Sequence, residues 1–335
     1  MEGGETDAED TPVLPGRLER LLAELSDEGV PAFEGAPDGL GALVELSYAL
    51  RPHVHEGRVP TYGAIVVADP ASGDDPILPP GVDATLVPVG DLDIRFARRF
   101  ADGTATFALR TEEGISHLVC FSRDMSAEYD LVGLQATIGG LVVQRHHAGQ
   151  VRVFGPSGVV RWDGISWYHD PPLDAWLARL ASAAPELPIV EMRSVLRFAV
   201  HELGGRRIGS TLIWRPLDGD LPSGRTERLV HNVPVLRLGR PGEAAAIANA
   251  LAQTDGAAIF AGDGSLLSIG VRLAPSSTAE ATIDAMSGMR HTSAKRYSFD
   301  DRDCVVIAVS DAGPVTIMFA GETILDVDPH EQKIG

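Results

Sequence analysis

The chain has 335 residues, of which 44% are hydrophobic and 22% are charged. This composition is typical of a folded protein and excludes a largely disordered chain, while the length favours two domains. With 28 Lys and Arg against 47 Asp and Glu, the net charge of −19 argues against a nucleic acid or an anionic membrane as partner.

The N-terminal segment MEGGETDAED is acidic and contains no basic residue. A secretory signal would begin with basic residues, and no apolar run of the chain reaches the roughly 18 residues that span a bilayer. We therefore expect a cytoplasmic protein with no membrane partner. Residues 1–14 are predicted to be disordered.

Residues 15–184 are predicted to form an N-terminal domain rich in strands. It opens with a helix in which leucines recur at helical spacing, from Leu18 to Leu25. The pair Asp163-Gly164 between two apolar runs indicates a hairpin, because glycine accepts the positive φ of a tight turn. A helix then runs from Pro171 to the proline-flanked boundary near 185–188. The other predicted strands lie at 64–68, 84–89, 105–109 and 117–121.

Residues 188–328 are predicted to form a second, α/β domain. Apolar positions from Met192 to Leu203 follow helical spacing and are closed by Gly204-Gly205. Further helices are predicted at 243–253 and 278–286, the last from the capping-box spacing of Ser277 and Glu280. Predicted strands are 210–214, 256–261, 265–273, 304–310 and 315–321. The order indicates a mixed sheet with helices on its faces, and no internal sequence repeat is evident.

Two segments of this domain contain residues suited to chemistry. Asp255-Gly256-Ala257 stands before a predicted strand, where a carboxylate can hold a divalent cation and glycine admits a ligand to the backbone. Arg290-His291-Thr292-Ser293 stands at a helix start, where a guanidinium, hydroxyls and N–H groups can hold phosphate. Taken alone, each segment is also compatible with an ordinary turn or a solvated helix end.

The order of these segments resembles the diadenylate cyclase domain. The carrying motifs are LRFAVHELGGRRIGSTLIW, then GAAIFAGDGSLLSIGVRLAP after Thr254-Asp255, then GMRHTSAKRYSF and CVVIAVSDAGPVTIMFAG. They include the family's Asp-Gly-Ala segment and a counterpart of its Arg-His-Arg segment. The likeness runs from near residue 188 to near residue 325, and its specificity comes from several motifs agreeing in order.

The resemblance implies an enzyme that condenses two ATP molecules into cyclic di-AMP with Mn²⁺ or Mg²⁺ as cofactor. Catalytic roles fall on Asp255, Arg290 and His291, and metal ligation falls on Asp255 and Asp311. Two ATP sites must face each other, so a homo-oligomer is implied. Our hypothesis for the domain at 15–184 is a sensor that regulates catalysis or oligomerisation. The residues implied to bind ATP are Gly256, Ala257, Leu273, Met289, Thr292, Ser293 and Ser310.

Two positions depart from the family pattern. Thr292 replaces the second arginine of Arg-His-Arg, and Asp311 replaces the usual glutamate. These departures leave open a second interpretation, a weakly active or inactive module that binds ATP or cyclic di-AMP as a sensor. A third is a scaffold whose first domain binds a protein partner.

Several other patterns are interpreted as structural. His53-Val54-His55-Glu56 has no third ligand that would complete a metal site, and His146-His147 is expected at a strand end on the surface. The aromatic residues around Asp163-Gly164 are expected to pack on a core. Gly262-Asp263-Gly264 joins two predicted strands, so it is not a dinucleotide-binding fingerprint.

Overall fold

The computed structural model describes residues 16–31, 33, 38–51, 54, 56, 57, 59–68, 78–216, 226–228, 232–240 and 242–327. The predicted disordered segment 1–14 lies outside these ranges, as do His53 and His55. No helix within the described ranges is both long and apolar enough to cross a membrane.

Among the residues that the structure describes, the first sheet has eight strands, in the order β2-β4-β3-β1-β5-β6-β7-β8. The pair β1–β3 is parallel and the other pairs are antiparallel. Its strands are Tyr62–Val66 (β1), Ala84–Pro88 (β2), Thr106–Thr111 (β3), Gly114–Phe121 (β4), Leu141–Arg145 (β5), Val151–Gly155 (β6), Gly158–Trp162 (β7) and Trp167–Asp170 (β8).

The second sheet has seven strands in the described residues, in the order β10-β12-β11-β9-β13-β14-β15. The pair β9–β11 is parallel and the other pairs are antiparallel. Its strands are Ser210–Arg215 (β9), Thr226–Arg228 (β10), Ala257–Ala261 (β11), Leu266–Leu273 (β12), Val305–Val309 (β13), Val315–Phe319 (β14) and Glu322–Val327 (β15).

Helices cover both faces of the two sheets. In the second sheet, α5, α6 and α7 pack over one hydrophobic cluster on one face, and α9 packs over a separate cluster on the other face. The predicted mixed α/β architecture with flanking helices is confirmed. The helices are Gly16–Asp27 (α1), Gly39–Ala49 (α2), Ile94–Ala97 (α3), Glu128–Ile138 (α4), Leu173–Ala183 (α5), Arg193–Arg197 (α6), Glu243–Leu251 (α7), Ser277–Thr282 (α8) and Met289–Asp300 (α9).

The two sheets repeat one topology. In each, a helix leads into the central strand, which is parallel to the next-but-one strand and antiparallel to a later one, so that β1, β3 and β5 correspond to β9, β11 and β13. In the first sheet, α2 and α3 share the hydrophobic cluster on one face and α4 covers the cluster on the other. In the second sheet, α6 and α7 share one cluster in the same way and α9 covers the other. The repetition of the fold is not accompanied by an evident repeat in the sequence.

Two predicted helices have different local structures from those expected. The predicted helix 278–286 ends at Thr282, because Ile283 is extended and its carbonyl accepts a hydrogen bond from Arg296 Nε at 3.2 Å. Its N-cap is Ser276, whose hydroxyl accepts from the Ala279 N–H at 2.9 Å, one residue before the predicted cap. The helix predicted over 192–203 is present, but its second half, Phe198–Gly204, is π-helical. The hairpin predicted at Asp163-Gly164 is confirmed as the β7–β8 turn.

A buried ionic cluster joins the two halves of the chain. Glu128, at the start of α4, accepts hydrogen bonds from Arg161 Nη2 at 2.6 Å and from His201 Nδ1 at 2.8 Å. Arg161 also pairs with the fully buried Asp170 at 2.7 Å. His201 lies in the π-helical segment of the second half, so this cluster fixes α4 against that segment.

Candidate active site

The candidate site lies at one edge of the second sheet, where β9 and β11 begin and β13 ends. The parallel register pairs Ala257 with Thr211, and the antiparallel register pairs Val309 with Ser210. Continuing these registers places Asp255 beside Gly209, and Asp311 follows the end of β13 at the same edge. The sheet therefore brings together residues that are far apart in the sequence.

Arg290 reaches this edge from the first turn of α9. Its Nη1 donates to the carbonyl of Val309 at 3.3 Å and to Asp311 Oδ1 at 3.0 Å. The Arg290 side chain is 38% exposed and that of Asp311 is 78% exposed. An exposed ion pair contributes little to stability, so both groups stay available to a ligand.

Gly209 makes this ion pair possible. A Cβ at residue 209 would overlap the Asp311 carboxylate and would also come too close to Arg290 Nη1. The sequence interpretation did not include Gly209, since its only signal is a glycine directly before a buried strand. Its role depends on residues about 80 and 100 positions later in the chain, which only the fold brings near.

Asp255 projects into solvent at the start of β11. No hydrogen bond or ion pair engages its carboxylate within the described residues. Gly256 follows with φ +97°, and a Cβ there would lie 2.9 Å from the Val271 carbonyl oxygen of β12. The close approach of two backbones thus requires glycine and leaves Asp255 at the rim. Ala257 is buried with its methyl group in the hydrophobic cluster beneath α9.

His291 follows Arg290 and is half-buried. Burial lowers the pKa of His291, and the Arg290 guanidinium lowers this pKa further against the opposing effect of Asp326. The imidazole is therefore neutral near pH 7 and can donate one hydrogen bond to an anion.

Thr292 and Ser293 have hydroxyls that bond to the local backbone. Thr292 Oγ1 accepts from the Met286 N–H at 2.9 Å and lies 2.9 Å from the Gly288 carbonyl, to which it can donate. Ser293 Oγ donates to the Arg290 carbonyl at 3.0 Å. Thr292 therefore holds the loop before α9 in place.

The remaining predicted ligand residues lie around the same edge. Leu273 ends β12, and continuing the β11–β12 register places it beside Asp255. The Ser310 hydroxyl accepts from the Ala312 N–H at 3.2 Å within the turn that carries Asp311. Met289, the first residue of α9, is 90% exposed.

No group of three or more His, Cys, Asp and Glu side chains that could hold a metal occurs among the described residues. Asp255 nevertheless offers an exposed carboxylate that no described residue engages. Mg²⁺ commonly binds through one or two carboxylates and the phosphates of its substrate, so the donor set fits a cation that arrives with a nucleotide.

Comparison with known families divides the chain into two matched parts. Residues 197–323 match the model described as DisA bacterial checkpoint controller nucleotide-binding (DAC). Residues 20–170 match the model described as probable sensor domain DACNK. No curated protein matches the chain.

Two solved structures show weaker likeness. A hypothetical membrane spanning protein from Bacillus cereus is 15% identical with a TM-score of 0.32, over 49% of this chain and 76% of that one. A double mutant of DacA from Staphylococcus aureus is 19% identical with a TM-score of 0.27, over 40% of this chain and 84% of that one. These TM-scores and identities are too low to assign a function to this chain.

Proposed function

Because the chain belongs to the diadenylate cyclase (DAC) domain family through residues 197–323, with a DACNK domain before it, we propose that it condenses two ATP molecules into cyclic di-AMP. The observation that supports this most directly is the edge that gathers the available carboxylate of Asp255, the exposed Arg290–Asp311 pair and the neutral His291. A triphosphate needs cationic and N–H donors on one side and room for its ribose on the other.

In the proposed reaction, the ribose 3′-oxygen of each ATP forms a bond to the α-phosphorus of the other. The bond from that phosphorus to the oxygen bridging to the β-phosphate breaks, and pyrophosphate leaves with the bonding electrons. Arg290 stabilises the negative charge that develops on the phosphate oxygens, and His291 donates a hydrogen bond to them. Asp255 lies beside the 3′-hydroxyl and favours the loss of its proton.

A divalent cation, Mn²⁺ or Mg²⁺, would supply positive charge to the phosphates and lower the pKa of the hydroxyl. Asp255 is the residue that would hold it, and Asp311 would join when a phosphate displaces it from Arg290. Gly256 permits the close approach of β11 to β12 and Gly209 makes room for the Arg290–Asp311 pair, while Leu273 would lie beside the base.

Cyclisation requires two such edges face to face, because one domain holds one ATP. We therefore propose a homo-oligomer in which the edges of two copies meet. The exposed Met289 at the start of α9 lies at the rim that would face the second copy.

A second candidate function, a nucleotide sensor with little or no turnover, is favoured by one observation. Thr292 stands where the family has arginine, and its hydroxyl already bonds to the loop at 286–288. The phosphate contact of that arginine is thus not replaced by the threonine.

The test is to incubate the full chain with ATP and Mn²⁺ or Mg²⁺ and to resolve the products by mass spectrometry. Asp255→Asn removes the available carboxylate, while Asp303→Asn removes an exposed carboxylate next to the start of β13, at the opposite edge. Cyclic di-AMP that disappears only in Asp255→Asn supports the cyclase. ATP binding without product supports the nucleotide sensor, particularly if Thr292→Arg then gains synthesis. If no adenine nucleotide binds, both proposals are wrong and a scaffold protein is the remaining interpretation.

A further inference from the structure

A cavity of about 360 Å³ lies between the two halves of the chain, away from the candidate active site. The first half lines it with α4 and with the end of β4, and the second half lines it with Arg197 and the segment at Gly239-Arg240. Its volume is at the lower end of the range for small-molecule sites, about 300 to 1,000 Å³. A molecule bound here would contact both halves at once.

The walls of this junction cavity combine an apolar floor with three arginines and two aspartates, Asp83 and Asp130. Met125, Tyr129 and Leu134 are buried and present apolar surface. Arg123 at the rim pairs with Asp130 at 2.9 Å, and Arg240 lies 3.6 Å from Glu243. These two arginines already have carboxylate partners.

Arg197 differs from them in its pairing. Its guanidinium stacks over the Tyr129 ring at 4.2 Å and donates from Nη2 to the Tyr129 hydroxyl at 2.9 Å. Among the described residues it has no carboxylate partner, and its buried Nε has no hydrogen-bond partner. Its Nη1, next to the cavity-lining Gly133, has no hydrogen-bond partner among the described residues, and a guanidinium without a carboxylate partner favours an anionic acceptor here.

A second junction cavity, of about 540 Å³, lacks this property. It lies on the other side of α4, and its charged residues are paired: Arg193 with Asp174, and His201 with Glu128. The available cation therefore distinguishes the smaller cavity.

The helix that carries Arg197 ends at the candidate active site. After α6 it continues as the π-helical segment Phe198–Gly204, and π-helical turns are frequent at functional sites. A Cβ at Gly204 would lie 3.1 Å from the Gly313 carbonyl, so this end of the helix packs directly on the turn that follows Asp311. Five residues later, Gly209 contacts the Arg290–Asp311 pair.

We propose that the junction cavity binds a small organic anion, with its carboxylate or phosphate on Arg197 and its apolar or aromatic part on Tyr129, Met125 and Leu134. Binding holds α4 and α6 together and, through Gly204, restrains the turn that carries Asp311. The anion is an effector of the candidate active site, and only this regulatory part rests on the proposed cyclase function.

The binding step is tested by isothermal titration calorimetry of the full chain without ATP. Benzoate and phenyl phosphate serve as anionic probes that distinguish a carboxylate from a phosphate ligand, and benzamide is the neutral counterpart. One anion should bind with one site per chain and about tenfold more tightly than benzamide, as expected for a charge-assisted hydrogen bond. Equal binding of benzamide, or no binding of either anion, overturns the proposal.

Three variants locate the bound anion. Arg197→Met should weaken binding about tenfold or more, whereas Arg179→Met, an exposed arginine on α5 that lines neither cavity, should leave it unchanged. Gly133→Ala keeps every charge, yet its Cβ would approach Arg197 Nη1 at 2.7 Å, so the guanidinium must move. Alanine favours a helix over glycine, so this variant folds and should still lose affinity. Unchanged affinity in both Arg197→Met and Gly133→Ala would place the anion elsewhere.

The coupling step is read by amide hydrogen exchange, which does not depend on turnover. The bound anion should slow exchange about twofold or more in residues 311–315 and in the π-helical segment, and Arg197→Met should abolish this effect. Slower exchange confined to α4 would overturn the coupling. A protein that binds the anion but makes no cyclic di-AMP would contradict the cyclase alone, and a cyclase that binds neither anion would contradict the junction site alone.

Discussion

The two sheets repeat one strand order but carry different chemistry at the same edge. Each has an Asp-Gly pair before the strand that runs parallel to its central strand, and both glycines have positive φ, +67° at Gly103 and +97° at Gly256. Asp102 Oδ1 accepts hydrogen bonds from the N–H groups of Thr104, Ala105 and Thr106. Asp255 has no such partner among the described residues.

The pKa of Asp102 reflects this commitment to the backbone. Partial burial raises the pKa, but the N–H groups of Thr106 and Thr104 outweigh burial and hold it below its ordinary value. Glu128 is the extreme case in the first half, since its carboxylate is buried between Arg161 and His201. The comparison shows that a shared topology does not give a shared function. The Asp102 carboxylate is bonded to the backbone of its own turn, whereas the Asp255 carboxylate is exposed and can bind a ligand.

The largest difference in cyclic di-AMP synthesis is expected between variants of the two aspartates in the Asp-Gly pairs, Asp255 and Asp102. Asp255→Asn should lower cyclic di-AMP synthesis about 100-fold or more, because a positioned carboxylate contributes about that much to proton transfer. Its unfolding free energy should stay unchanged. Mass spectrometry of the products and urea denaturation measure the two effects, and an equal loss of stability would remove the contrast with Asp102.

The buried junction carboxylate should affect stability instead. Glu128→Ala removes the buried carboxylate that Arg161 and His201 share, although Arg161 keeps Asp170, and should lower the unfolding free energy by about 3–5 kcal/mol. The matched control is Asp174→Ala, whose side chain is 71% exposed and pairs with Arg193, and which should cost less than about 1 kcal/mol. Denaturation with urea measures both, and similar losses would contradict the distinction between buried and exposed pairs.

Acidification should sharpen the same contrast. Burial opposes ionisation of Glu128, but Arg161 and His201 outweigh it and hold its folded-state pKa well below the ordinary value. A depressed pKa contributes stability above the unfolded-state pKa, near 4.5, and this contribution is lost as the pH falls towards the folded-state value. The wild type should therefore lose its advantage in unfolding free energy over Glu128→Gln as the pH falls from 6 to 3. A difference that stays constant over this range would rule out the linkage.

Gly209 tests the second edge without changing any charge. Gly209→Ala should push both Asp311 and Arg290 Nη1 out of place and weaken ATP binding about tenfold, as expected for the loss of one charge-assisted contact between Arg290 and phosphate. Gly39→Ala serves as the control, because a Cβ there meets no atom within 4 Å. Calorimetry of ATP binding measures the effect, and equal affinities would show that the ion pair does not position the nucleotide.

The smallest effect is expected at Asp102. Asp102→Ala removes an acceptor for three backbone N–H groups that remain near solvent, so the unfolding free energy should fall by about 1 kcal/mol. Synthesis of cyclic di-AMP should be unaffected when the protein is assayed well below its melting temperature. A large loss of synthesis would instead give the first edge a functional role.

The sequence predicted the elements with local signals. The Asp163-Gly164 hairpin and the helix from Met192 follow from turn chemistry and apolar spacing. The Asp255 segment and the Arg290 side chain both lie at the end of the second sheet where β9 and β11 begin. The bond between Glu128 and His201, which lies in the π-helical half of this helix, could not be predicted, because the two residues are 73 positions apart in the sequence.

Long-range features were missed for the same reason. The shared strand order of the two sheets leaves no trace in local spacing, since different residues can fill the same layers. Gly209 reads as an ordinary loop residue until the fold brings Asp311 beside it. Whether a given aspartate is bonded to its own turn is likewise decided by backbone geometry that one sequence does not reveal.

The parallel pairing of β9 with β11 also has a consequence for how the candidate site forms during folding. The hairpins β11–β12 and β13–β14 close over short turns, whereas the pairing of Thr211 with Ala257 closes a much longer loop, which carries α7. Closing that larger loop costs more chain entropy, and such non-local pairings form slowly. Since Gly209 and Asp255 stand at the ends of these two strands, nucleotide affinity is expected to appear among the last events of refolding, after most of the strand signal has been regained.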